Sequence, residues 1–210
     1  PAVKMQQSVQ YDYYISVMHL PALFNTTLET IPAEVPYIKP DKTIPGPWLG
    51  LMKCDAFKAG IVWAGSAQYE NDHLRSCSLR DMLPLSKIAG AKIFSLQKGR
   101  TAPETAQLMH KAGITDLAEY LQDYADTAAV IDTLDLVISV DTSVLHLAGA
   151  MGRPCWALLP YSPDWRWLLN TEKSPWYPTM KLFRQREINN WPEVIDRVGA
   201  ELCRECCRDE

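Results

Sequence analysis

The chain has 210 residues, of which 47% are hydrophobic and 22% charged, so it can bury a core without disulfide or metal cross-links. Its net charge of −4 argues against a nucleic-acid or anionic-membrane binder, which would need a basic patch to meet phosphates. No apolar stretch is long enough to cross a bilayer, and the mostly polar first ten residues do not predict a signal peptide. We therefore expect a cytoplasmic protein of one domain plus a piece of another.

Three of the six cysteines crowd the C-terminal tail as C-x-x-C-C, at Cys203, Cys206 and Cys207. A four-ligand zinc site would need a second matched pair of ligands, which the sequence lacks. We therefore expect free thiols and no metal, and the pattern assigns the tail no role.

The first 48 residues differ in pattern from the rest of the chain. Residues 11–18 are aromatic and β-branched and predict a strand, and residues 20–30 predict a short helix. Five prolines follow between residues 32 and 47. Because proline lacks an amide hydrogen and fixes its own φ, this spacing excludes a long regular element and indicates a linker or an extended crossover.

From residue 60 onward, short apolar runs alternate with amphipathic segments. The predicted strands cover residues 60–64, 91–96, 114–117, 136–140, 154–159 and 180–184. The predicted helices cover residues 78–89, 103–113, 124–134, 142–151 and 191–207. Strands that are apolar throughout are buried on both faces, which predicts a doubly wound α/β domain with a parallel sheet. Such domains bind ligands at the carboxyl ends of their strands.

The strongest site signal follows the strand at 136–140, where Asp141, Thr142 and Ser143 precede a helix. Free amides at a helix N-terminus attract anions, and His146 lies one turn after Thr142 on the same helix face. This pattern could hold a phosphate or diphosphate, with Asp141 on sugar hydroxyls. The alternative is that Asp141 only caps the helix and His146 packs in the core, and the spacing alone favours that alternative.

Two further polar loops follow predicted strands at the same sheet edge. Residues 65–76 contain Arg75, whose guanidinium could bind phosphate, and Gln97 and Lys98 follow the next strand. A solvated loop and a plain strand–helix turn explain these segments about equally well. Together the three loops outline a crevice for a phosphate-bearing ligand, although the Gly-rich dinucleotide fingerprint, the P-loop and an Asp-x-Asp pair are absent.

An aromatic stretch at residues 160–167, with Trp176 and Tyr177 beyond it, leaves another predicted strand end. Aromatic faces commonly bind sugar rings, but they also bury large areas in ordinary loops, and the latter reading is favoured here.

The segment VISVDTSVLHLAGAMGRPCWALLP resembles the nucleotide-sugar-binding half of heptosyltransferase-type glycosyltransferases, which have the GT-B fold. The segments VWAGSAQYENDHLRS, FSLQKG, PDWRWLL and SPWYPTMKLFRQ are similar to the glycosyltransferase-like domain that follows tetratricopeptide repeats in many bacterial proteins. The resemblance runs from about Tyr11 to Trp191. It implies a Rossmann-like doubly wound sheet, the C-terminal half of a GT-B fold.

The resemblance also implies a donor site. Its residues would be Ser66, Arg75, Gln97, Lys98, Tyr124, Asp141, Thr142, Ser143 and His146. The residues after the 136–140 strand would bind the donor's diphosphate and sugar. Ser66 and Arg75 would bind phosphate, and Gln97 or Lys98 would lie near the ribose or diphosphate. Residues 122–124 would form the base pocket. The reaction would invert the anomeric carbon and need no metal or other cofactor.

One departure from the family is large. Residues 1–48 look like the end of the acceptor domain and its crossover, and residues 49–210 look like a complete donor domain, with no tetratricopeptide repeats. No residue here matches the family's catalytic carboxylate. We therefore expect the donor-binding domain of a glycosyltransferase, incomplete for catalysis alone. The alternatives are a non-catalytic nucleotide-sugar-binding module, or a subunit completed by a partner chain or by a second copy.

Overall fold

The structure is a computed structural model that describes residues 10–41, 46–99 and 102–207. The chain divides into two compact units, Pro1–Pro32 (unit 1) and Ala33–Glu210 (unit 2). The predicted boundary between residues 48 and 49 separates an acceptor remnant from a donor domain and stays a prediction. Residues 1–9 and 42–45 of that predicted remnant, including Pro45, lie outside the described residues.

Unit 1 contains only short helices among its described residues. A 3₁₀ turn at Val17–His19 leads into helix α1 (Leu20–Leu23), and a second 3₁₀ turn covers Leu28–Thr30. The strand predicted at residues 11–18 is therefore wrong. Its aromatic and β-branched side chains favour a strand locally, but a strand needs a hydrogen-bonding neighbour, and described residues 10–32 of this unit include none.

Unit 2 is built on one six-stranded sheet. Its strands are β1 (Phe57–Val62), β2 (Ala91–Ser95), β3 (Thr115–Asp116), β4 (Leu136–Val140), β5 (Cys155–Leu159) and β6 (Met180–Arg184). All neighbouring strands run parallel, in the order β3-β2-β1-β4-β5-β6. The strand order reverses between β1 and β4, and ligands of open α/β sheets bind at such a switch point.

Helices flank the sheet. They are α2 (Asp72–Arg75), α3 (Leu79–Met82), α4 (Pro103–Lys111), α5 (Tyr124–Asp132), α6 (Ser143–Ala150) and α7 (Trp191–Cys206). Shorter 3₁₀ turns cover Pro47–Gly50, Leu83–Lys87, Ala118–Tyr120 and Trp165–Trp167. None of the helices in the described ranges is long and apolar enough to span a membrane.

The helix predicted over residues 78–89 is interrupted. Its α-helical part ends at Met82, and a 3₁₀ turn continues from Leu83 to Lys87. Pro84 accounts for the break, because its ring has no amide hydrogen and would clash with the carbonyl one turn earlier.

The sheet is buried on both faces, as predicted. On β4, Leu136, Ile138 and Val140 belong to the apolar layer that includes α3, α4 and α7. The intervening Val137 belongs to the opposite layer, which includes α5 and α6. Alternate residues of one strand thus feed two cores, which confirms the Rossmann-like, doubly wound class.

Candidate functional site

A cleft of about 1190 Å³ lies at the carboxyl ends of the strands. Its walls are the segments that follow β1, β2, β4 and β5, together with the start of α5. All nine predicted site residues line it: Ser66, Arg75, Gln97, Lys98, Tyr124, Asp141, Thr142, Ser143 and His146. Parallel strands that end at one edge bring these distant segments together. Their roles as ligands stay predictions.

The N-terminus of α6 opens into this cleft. Thr142 is the N-cap residue in extended conformation, but its side chain makes no capping hydrogen bond. The Thr142 hydroxyl instead lies 2.9 Å from the Ser139 hydroxyl, which donates to the carbonyl oxygen of Val140 at 2.7 Å. The first amides of α6, beginning at Ser143, have no partner within the helix and are available to an anion.

Asp141 does not cap α6, so the plainer alternative for this residue is wrong. Its Oδ2 accepts a hydrogen bond from Trp167 Nε1 at 3.0 Å, and its Oδ1 lies 3.4 Å from His146 Nε2. Burial by itself would raise the pKa of Asp141. The hydrogen bonds from His146 and Trp167, aided by the charge of Arg166, outweigh burial and hold this pKa below its ordinary value. The carboxylate is therefore ionised and fixed at the cleft wall.

His146 lies between two aromatic rings rather than in the core. Its imidazole stacks on the Trp167 indole at 5.3 Å between ring centroids and meets the Tyr177 ring edge at 5.7 Å. The Tyr177 hydroxyl lies 3.0 Å from Nδ1, and Arg166 Nη1 lies 3.4 Å from Nε2. These contacts hold the imidazole in one orientation at the cleft wall.

The segment after β1 places a cation in the lining of the same cleft. Arg75 donates from Nε to the buried Asp72 at 3.2 Å, and its guanidinium lies 4.6 Å from the centroid of the Tyr69 ring. A Cβ at Gly65 would come within 2.5 Å of Arg75 Nη2, so only glycine leaves room for this arrangement. Ser66 is exposed, and its hydroxyl accepts from the amide of Gln68 at 3.3 Å.

Gln97 is buried and holds two of the cleft-lining segments together. Its Oε1 accepts from the amides of Trp63 and Ala64 at 3.1 and 2.9 Å, and its Nε2 donates to the carbonyl oxygens of Ala64 and Lys98. Both functions of the amide are therefore fully used by the backbone, which ties the end of β1 to the end of β2. The exposed Lys98 donates from Nζ to the carbonyl oxygen of Leu121.

The predicted base pocket is the turn before α5. Asp123 caps this helix by accepting from the amides of Ala125 and Asp126 at 2.8 and 3.0 Å. The cap stabilises the first turn of α5, which begins at Tyr124. The Tyr124 side chain is 60% exposed and lines the cleft.

Three residues outside the predicted ligand set complete the site. Trp167 is fully buried and acts as a hydrogen-bond donor, Arg166 lines the cleft, and Tyr177 contacts His146. The aromatic stretch after β5 was the available signal, but it gave no indication of which ring would be buried.

Across the described ranges, no group of three or more His, Cys, Asp or Glu side chains is arranged to hold a metal ion. All six cysteines lie in the described residues and none of them forms a disulfide, and the C-terminal three remain without an assigned role.

Residues 98–196 match the profile of glycosyltransferase family 9 (heptosyltransferase). Protein FlbA of Caulobacter vibrioides is 26% identical over 200 residues, which make up 92% of this chain and 33% of that protein.

Three solved structures share the fold. E. coli ADP-heptose lipopolysaccharide heptosyltransferase II has a TM-score of 0.50 and 18% identity, covering 74% of this chain and 48% of that chain. E. coli heptosyltransferase WaaC, solved with ADP, has a TM-score of 0.50 and 15% identity, covering 85% and 53%. A putative UDP-N-acetylglucosamine 2-epimerase from Listeria monocytogenes has a TM-score of 0.51 and 16% identity, covering 83% and 42%.

The chain thus spans about a third of FlbA and about half of each heptosyltransferase. Within those limits, residues 98–196 are similar to the heptosyltransferase family, and the chain shares a Rossmann-like fold with the solved heptosyltransferases.

Proposed function

We propose that the cleft binds a nucleotide sugar through its diphosphate and that the chain is the donor-binding half of a glycosyltransferase. The observation that carries the proposal is the convergence, in one cleft at the switch point, of the α6 N-terminus with Arg75, Lys98 and the fixed carboxylate of Asp141. Amides and cations suit a diphosphate, and a carboxylate with free lone pairs suits sugar hydroxyls.

Each group would act on a different part of the donor. The α6 amides and Arg75 would hold the diphosphate, and Arg166 would add charge beside it. Asp141 would accept from sugar hydroxyls, and the exposed Tyr124 ring would stack on the base. In the complete reaction, an acceptor hydroxyl attacks the anomeric carbon, the bond from that carbon to the diphosphate breaks, and a nucleoside diphosphate leaves.

The wider proposal includes features carried by the resemblance alone. These are inversion at the anomeric carbon, transfer without a metal, cytoplasmic location and association with tetratricopeptide repeats. Catalysis also needs a base that deprotonates the acceptor hydroxyl. We propose that an acceptor-binding half, on the same protein, on a partner chain or on a second copy, supplies that base.

A second candidate is a binding module without transferase activity. It is favoured because the aspartates that line the cleft among the described residues already have hydrogen-bond or ion-pair partners in the protein. Asp141 pairs with His146 and Trp167, Asp164 pairs with Arg166 at 2.9 Å, and Asp123 caps α5. Each is already engaged in holding the site, which is unlike a general base awaiting a proton.

Calorimetry with nucleoside diphosphates and their sugars tests the proposal. ADP is the first probe, because WaaC was solved with it, and UDP and GDP follow. We expect Arg75→Met to weaken diphosphate binding about tenfold or more, because a charge-assisted hydrogen bond contributes about 1.5–3 kcal/mol. Arg80→Met is the matched control, since Arg80 is exposed on α3 and does not line the cleft.

The outcomes separate the two candidates. Absence of binding by every nucleoside diphosphate would contradict both. Donor hydrolysis or sugar transfer by this chain alone would rule out the module without activity and the need for a second half.

A further inference from the structure

We infer that Tyr177 is a positioning residue whose hydroxyl, by donating to Nδ1, holds the His146 imidazole against Asp141 in the tautomer that the carboxylate selects. The importance of this pair for ligand binding rests on the proposed function, whereas the tautomer itself depends only on the contacts of the protein.

The two nitrogens of His146 meet different partners. Nδ1 faces the Tyr177 hydroxyl at 3.0 Å, and Nε2 lies 3.4 Å from both Asp141 Oδ1 and Arg166 Nη1. A neutral imidazole has one N–H donor and one bare acceptor nitrogen, so the three neighbours cannot all be satisfied in both tautomers.

The carboxylate decides between them. If Nε2 were bare, its lone pair would face an ionised oxygen of Asp141, and that oxygen would lose its donor. With the proton on Nε2, His146 donates to Asp141, and Nδ1 accepts the Tyr177 hydroxyl proton. Arg166 loses little in this arrangement, because its Nε already donates to Asp164 at 2.9 Å.

The Tyr177 hydroxyl has a proton to donate. Burial, followed by the neighbouring Tyr37 hydroxyl, raises the pKa of Tyr177 far above its ordinary value, so the phenol keeps its proton. Tyr37 belongs to a segment fixed to the far end of α6, where its amide donates to the carbonyl oxygen of Ala150 at 3.0 Å.

Packing brings the Tyr177 ring to the required place. A Cβ at Gly149 would lie 2.5 Å from Tyr177 Cγ, so the ring lies directly against the α6 backbone one turn from His146. The Tyr177 amide donates to the Ser174 hydroxyl at 3.3 Å, which holds the backbone that carries the ring. The absence of a side chain at Gly149 leaves room for the ring, and the ring in this position brings its hydroxyl to Nδ1 of His146.

The test is a long-range ¹H–¹⁵N spectrum of the full chain labelled at its four histidines, recorded at about pH 8, where model imidazoles are neutral. His146→Gln assigns the signal. We expect the wild-type ring to be protonated at Nε2 alone. Tyr177→Phe keeps the ring but removes the hydroxyl, and should shift the Nδ1 signal of His146, because that acceptor nitrogen loses its donor. Tyr161→Phe, an exposed tyrosine outside the cleft lining, should leave the spectrum unchanged.

Protonation at Nδ1 in the wild-type protein would overturn the inference, as would an unchanged His146 spectrum in Tyr177→Phe. ADP titration gives the second readout, with an expected fall in affinity of about fivefold in Tyr177→Phe and none in Tyr161→Phe. An unchanged affinity would overturn the role in binding. If the wild-type protein binds no nucleoside diphosphate, the proposed function fails while the spectrum still decides the tautomer.

Discussion

At the scale of single residues, most polar side chains of the cleft are committed to other protein groups before a ligand arrives. The side-chain amide of Gln97 makes all of its hydrogen bonds with backbone groups, and Asp141 is held by Trp167 and His146. Such a preorganised wall loses little entropy when it binds a ligand. The same hydrogen bonds also stabilise the folded protein. The contribution of Asp141 to stability can therefore be measured without any ligand.

Asp141→Asn should lower the free energy of unfolding by about 2 kcal/mol at pH 7, because the amide loses the charge that strengthens two hydrogen bonds. The folded-state pKa of Asp141 is lowered, so its stabilisation is complete above the ordinary value of 3.8 and is lost as the pH falls through the lower folded value. Urea titrations should therefore show the difference from wild type shrinking below about pH 4. A difference that stays constant with pH would contradict this account.

The exposed Asp196→Asn on α7 provides the control for that comparison. It should match the wild-type protein at each pH, because the Asp196 carboxylate makes no hydrogen bond or ion pair with the described residues.

At the scale of elements, α6 is the part of the fold that serves both stability and the site. Its N-terminus faces the cleft, its buried face packs in the core with α5, and its glycine admits Tyr177. The sequence predicted this helix well, because an apolar strand, a polar cap and a closing glycine surround it. The reason for Gly149 could not be predicted, because the ring that fills its space comes from a segment 28 residues later in the chain.

Gly149→Ala and Gly199→Ala form a matched pair. Alanine is more favourable than glycine inside a helix by about 1 kcal/mol. Gly199→Ala on α7 should therefore stabilise the protein, because its new Cβ would make only ordinary contacts, the nearest at 3.7 Å from Ile88 Cδ1. Gly149→Ala should instead destabilise it by about 1–2 kcal/mol, because the Cβ collides with the Tyr177 ring. Urea unfolding measures both. Equal gains for the two variants would show that the ring moves away freely.

At the scale of the whole molecule, the two units differ in how they are built. Every buried apolar residue of the described chain lies at Trp48 or later, and none of residues 10–32 is buried. Unit 2 holds both layers of the core and every residue lining the cleft.

A variant that begins at Ala33 should therefore fold and keep the cleft. We expect its melting temperature to lie within about 3 °C of that of the full chain, since a loss of 1 kcal/mol shifts a protein of this size by about that amount. Thermal unfolding followed by circular dichroism measures this. Its nucleotide affinity should equal that of the full chain, and a variant that fails to fold would contradict the assignment of the core to unit 2.

The sequence by itself determined the fold class and the edge of the sheet where a site could form. The strands at 136–140 and 180–184 were predicted with the bounds that the structure has. In the first of them, the continuous apolar run recorded burial on both faces. The convergence of nine separated residues in one cleft followed from parallel strands that end at one edge.

The tertiary structure alone decided which side chains act on one another. Local patterns predicted a strand at residues 11–18 and favoured Asp141 as a cap, and both interpretations were wrong, because a strand needs a pairing neighbour and a carboxylate turns toward its strongest donors. Trp167 and Tyr177 reach Asp141 and His146 from 26 and 31 residues away. Contacts of that range leave no periodicity in a single sequence, since packing rather than spacing brings the groups together.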